Sequence, residues 1–144
     1  PSSAASDVYK RQDYDNEPCG VRLVRLINTQ ALDIAKREFK NDDKMCLYGT
    51  GEYWHGFEHS AYFLSRIFPK SESFVVNHPN YPFVIVGVSV SDKELRKYMK
   101  DHSVYHKKED YIEYVVTPFV PREYGDWHTK KVKSFIEDID RYSS

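Results

Sequence analysis

The sequence predicts an α/β domain, a mixed central sheet flanked by helices, and three observations predict it. Phe83 to Val90 is rich in β-branched residues and apolar on both parities as far as Val88, the pattern of a central strand covered on both faces. Ser91 followed by Glu94 is a capping-box match that starts a helix directly after that strand. Segments of strand and helix periodicity then alternate along the chain, which argues for helices packed on a sheet. With 144 residues there is room for one core and one domain.

Taken in order, Pro1 to Gln12 reads like the translation of a cloning adapter and is set aside. The domain is expected over 13–144, with Asp13 to Pro18 as a charged approach. Val21 to Ile27 fits both a strand and a helix. Thr29 is a candidate cap for a helix through Phe39, with Leu32, Ala35 and Phe39 as its apolar stripe. Asn41-Asp42-Asp43 breaks that pattern. Met45 to Tyr48 is a short apolar strand bounded by Gly49-Thr50-Gly51. Gly56 interrupts any helix starting at Glu52, so a helix is expected from near Phe57, with Phe57, Ala61, Leu64 and Phe68 as its stripe and Pro69 as its stop.

Ser71 to Ser73 reads as a loop and Phe74 to Asn77 as a short strand. Pro79 and Pro82 fix a turn before the central strand. The capped helix is expected over Asp92 to Asp101 with Leu95, Tyr98 and Met99 inward. Tyr111 to Val116 is a further strand, closed by Pro118 and Pro121. Asp126 is the candidate cap of a last helix with Val132, Phe135, Ile136 and Ile139 as its stripe.

Composition narrows the function classes. Twenty-one basic and twenty-two acidic side chains leave a net charge of −1, so no global field draws the chain to nucleic acid or an anionic membrane, and any such surface is local. Twelve tyrosines exceed what a core this small buries, so several are expected half exposed. Cys19 and Cys46 have no zinc-type spacing and read as free thiols of a reducing compartment. The longest apolar run, Phe83 to Val88, is far short of the ~20 residues of a membrane helix. The expectation is a cytoplasmic protein with no membrane partner.

The chemistry-bearing stretch runs from Met45 to Phe68. Tyr53, Trp54 and His55 sit together past a glycine turn, where large aromatic faces lie beside a titratable imidazole. Glu52, His55, Glu58 and His59 form an acid and imidazole cluster. Gly56 separates its histidines from one helical face, so no metal site, cofactor or catalytic residue is expected. Lys93, Arg96, Lys97, Lys100, Lys107 and Lys108 concentrate between Asp92 and Asp110, and Lys130, Lys131 and Lys133 lie in the last helix. Phosphate contacts come from such groups, although interleaved carboxylates equally fit a solvated face.

The string Gly51-Glu52-Tyr53-Trp54-His55-Gly56-Phe57, after an apolar strand and before Ser60-Ala61, resembles the G-D-F-Y-E-x-F string of the mismatch-sensing N-terminal domain of the bacterial MutS family. The order continues in kind, with Phe83 to Gly87, then Leu95 to Lys100 with Lys97 and Tyr98, then Tyr111 to Val116 followed by Thr117-Pro118. The resemblance covers roughly Ala31 to Pro118. It implies a free-standing DNA-binding module without the family's ATPase, whose DNA-contacting residues are Tyr53, Trp54, His55, Lys97 and Lys100. Tyr53 takes the position that stacks on a base. His55 takes that of the base-bonding glutamate and departs from it, because a carboxylate only accepts hydrogen bonds whereas imidazole also donates. The alternatives are a protein-interaction module on the same fold and a small metal-dependent hydrolase using Glu52, His55 and His59.

Overall fold

Six strands, every neighbouring pair antiparallel, form one sheet in the order β3-β4-β2-β1-β6-β5. The strands are β1 (Lys44–Gly49), β2 (Tyr53–Phe57), β3 (Glu72–Asn77), β4 (Val84–Ser91), β5 (Val104–Lys108) and β6 (Tyr111–Val115). The helices are α1 (Cys19–Phe39), α2 (His59–Ile67), α3 (Asp92–Met99) and α4 (Pro121–Ser143). A computed structural model describes residues 19–143, and the side chains of 20–140. The adapter-like segment and the Cys19 thiol lie outside these. The α/β class stands, but the sheet is antiparallel where the sequence suggested a mixed one.

Side chains alternate across the strands, so the sheet has two apolar faces. Met45, Leu47, Trp54, Val88, Val90, Ile112 and Tyr114 meet Ala61 and Leu64 of α2 and Leu95 and Met99 of α3, with Phe119 and Trp127 closing the layer. Cys46, Tyr48, Phe57 and Ile85 on the other face meet Ala31 and Ile34 of α1. β4 lies between β3 and β2, which explains its apolar residues on both parities.

Several boundaries differ from expectation for physical reasons. Val21 to Ile27 is helical, and Thr29 is inside α1, not at its start. Its Oγ1 donates back to the Arg25 carbonyl at 2.8 Å, the usual way a helix interior satisfies a threonine. The inward stripe of α1 contains Ala31, Ile34 and Glu38, whereas Leu32 is exposed and Phe39 is 85% exposed. Phe57 ends β2, and the helix begins two residues later at His59. Gly56 is a strand residue under the start of α2: a Cβ there would meet the Ser60 backbone at 3.0 Å, so the glycine permits the crossing.

The Ser91 hydroxyl accepts from the Glu94 amide at 3.2 Å, as the capping box requires. Tyr98 of that helix is exposed, not inward. β5 is an edge strand exposed along its whole length and carries no apolar alternation to announce it. α4 begins five residues before Asp126, with Pro121 at its first position, where a missing N–H costs nothing. Ile136 and Ile139 of its expected stripe are exposed.

Candidate functional site

The turn from β1 to β2 sets the aromatic triplet. Thr50 donates its amide to the Tyr53 carbonyl at 3.0 Å, and the Asp92 amide donates to the Glu52 carbonyl at 2.8 Å, which ties the turn to the start of α3. Tyr53 is 43% exposed, Trp54 only 9% and His55 only 3%. Trp54 Nε1 donates to Asp92 Oδ1 at 2.8 Å within the layer of α2 and α3. His55 lies on the opposite face, its Nε2 2.8 Å from Thr50 Oγ1, its Nδ1 2.6 Å from Ser89 Oγ, and its ring edge-on to Phe74. Burial pushes its pKa down to about 4, so it is a neutral core imidazole. Of the three residues that the resemblance assigns to DNA, Tyr53 alone offers a face to solvent. Trp54 and His55 are packing residues, and a carboxylate at position 55 would be buried between two hydroxyls.

Lys97 on α3 and Lys100 at its C-cap are exposed, in a row that Lys93 completes at helical spacing. Arg96 shares that row but pairs with Asp92 at 2.8 Å. Among the described residues no carboxylate pairs with Lys93, Lys97 or Lys100. Strand alternation puts Tyr53 on the face of His55, whereas α3 packs on the face of Trp54. Tyr53 and the lysine row therefore lie on opposite sides of the sheet, and the row runs from the Tyr53 end toward the other end, where the Val115 amide donates to the Ser103 carbonyl at 3.0 Å.

The acid and imidazole cluster does not assemble. Glu52 is exposed in the turn, His55 is enclosed in the sheet, and Glu58 and His59 lie past the far end of β2. Five strand residues place the two ends about 13 Å apart. Among the described residues no three histidine, cysteine, aspartate or glutamate side chains group to hold a metal ion. Glu52, His55 and His59 thus do not meet in the way the hydrolase reading needs.

A different constellation forms at that far end. Glu58 turns the chain from β2 into α2 with φ 53 and ψ −117, the one positive φ among described non-glycine residues. Its Oε2 accepts from His128 Nε2 at 2.6 Å, the Tyr124 hydroxyl at 3.3 Å and the Val86 amide at 3.4 Å. His59 donates from Nδ1 to the Asn41 carbonyl at 2.5 Å and sits edge-on to Tyr124. Glu38, 1% exposed, accepts from the Ser60 amide at 2.8 Å and hydroxyl at 2.7 Å, where a carboxylate is favoured by the start of α2. Burial pushes its pKa up to about 7 against those hydrogen bonds, and Glu58 adds to the rise.

These groups line a hollow of about 630 Å³ between α1, α2 and α4. Glu58 and His128 stand seventy residues apart, so no local motif signals their pairing. The one legible sign is the density of acid and imidazole around position 58. No protein-family model matches the chain, and neither curated proteins nor solved structures give a match. No helix among the described residues is long and apolar enough to cross a membrane.

Proposed function

We propose that the chain is a nucleic-acid-binding module, as the resemblance to the MutS N-terminal domain implies, with no enzymatic step of its own. The observation that carries this reading is the row Lys93, Lys97 and Lys100, exposed along α3 and its C-cap with no described carboxylate paired to it. Such a row neutralises phosphates locally in a chain whose net charge is −1. Tyr53 supplies an exposed ring at the end of the sheet where α3 begins, suited to stacking on an unpaired or splayed base. Because His55 is enclosed, the reading is DNA contact without mismatch readout.

Fluorescence anisotropy with matched duplex, mismatched duplex and single-stranded DNA tests it. Binding is expected at low salt and falls with rising salt. Lys97→Ala and Lys100→Ala should each reduce the log–log salt slope by about 1. Tyr53→Ala should weaken binding to single strands by about 1–3 kcal/mol. Matched and mismatched duplexes should bind alike. Absence of any binding at low salt would end this reading and leave a protein partner at the Tyr53 surface as its successor.

A further inference from the structure

We propose that the hollow between the end of α1, the start of α2 and the first half of α4 binds a small organic ammonium, held by the Glu58 carboxylate among aromatic walls. It lies at the other end of β2 from Tyr53 and stands apart from the nucleic-acid reading. Its volume of about 630 Å³ is that of a small-molecule site. An adjoining hollow of about 600 Å³ along α1 shares Ala35, Phe39 and Phe83 with it but is lined by Lys36, Arg37 and Lys40 and is not part of the ammonium site.

Charge selects the ligand. Glu38 and Glu58 both line the hollow, and no lysine or arginine is among its described lining residues. The oxygens of Glu38 are engaged by Ser60 and Asn41. Glu58 Oε2 is engaged three times, whereas Oε1 has no partner among the described residues. An ammonium has three N–H donors and no acceptor, which suits that carboxylate oxygen. Phe83 and Tyr124 line the hollow with aromatic rings, which a cation can contact. An anion would face the Glu58 carboxylate, and the described side chains do not group to hold a metal.

One further observation agrees. Glu58 is held in a strained backbone conformation, which persists only where surroundings over-determine it.

The test is an amide-resolved NMR titration of the full chain with benzylamine, benzyl alcohol and phenylacetate, which share a ring and differ in charge. Benzylamine should shift the amides of 58–60 and of Gly125 to Thr129 saturably. Benzyl alcohol should bind at least about tenfold more weakly, and phenylacetate should not bind there. Glu58→Gln should weaken benzylamine by about tenfold or more. Because that change also loosens His128, Phe83→Leu is the second variant. It keeps every polar group and should weaken benzylamine several-fold with the fold intact. Tyr53→Ala should bind benzylamine like the unchanged protein, even where it abolishes DNA contact. Equal binding of the alcohol or the acid, shifts confined elsewhere, or no saturable shift up to about 10 mM would overturn the proposal.

Discussion

Tyr53 and Trp54 are neighbours in the chain and opposites in energy. Trp54 is buried on the α2 and α3 face with its indole N–H bonded to Asp92, so Trp54→Ala leaves a cavity and an unpaired acceptor. A loss of about 3–5 kcal/mol is expected in urea unfolding. Tyr53→Ala, at a 43% exposed position without a described hydrogen bond from its hydroxyl, should stay within about 0.5 kcal/mol. If the two variants lose similar stability, Tyr53 is a packing residue and its availability to a ligand fails. Sequence reasoning treated the triplet as one surface because alternation is invisible until β2 is known to be a strand. Once the strand is set, a step of one residue carries each side chain to the other face.

At the scale of elements, what was legible is what local chemistry dictates. The cap of α3 and the both-parity run of β4 appear as the residues foretell, and of the expected Phe57, Ala61, Leu64, Phe68 stripe the last three share one core while Phe57 belongs to β2 and packs on the other face. Ser91→Ala should accordingly destabilise by about 1 kcal/mol, read as a fall in the urea midpoint with unchanged slope. β2 was hidden because His55 and Gly56 are poor strand residues taken alone. Their reasons are tertiary: Thr50 and Ser89 satisfy the imidazole, and the crossing of α2 needs the glycine. Gly56→Ala should therefore cost about 1–3 kcal/mol, the ordinary penalty of overpacking, although alanine suits a strand better than glycine in isolation. An unchanged unfolding midpoint would show that α2 does not approach so closely. The inward face of α1 was misplaced because a glutamate occupies it, and a buried Glu38 becomes intelligible only once Ser60 and the start of α2 are beside it. The Glu58 and His128 pair is equally unreadable locally, since the fold alone joins two residues seventy positions apart.

For the whole molecule, two buried titratable groups on different elements act on stability with opposite sign. Glu38, raised from 4.5 to about 7, favours folding fully below pH 4.5 and loses that contribution as pH rises through 7. His55, lowered from 6.5 to about 4, favours folding fully above pH 6.5 and loses that contribution as pH falls through 4. Each swing is on the order of 3 kcal/mol. Their slopes oppose one another between pH 4.5 and 6.5, so these groups together should leave the protein's stability nearly flat there. Single replacements should expose the hidden slopes. Glu38→Gln should make stability rise with pH across that interval, as the His55 contribution is restored unopposed. His55→Gln should make it fall with pH, as Glu38 ionises in the unfolded chain while burial keeps it protonated in the folded one. Urea unfolding midpoints at pH 4.5, 5.5 and 6.5 for the three proteins measure this directly. The expectation fails if both variants keep the flat profile of the parent, since the two groups would then titrate in the folded chain as they do in water.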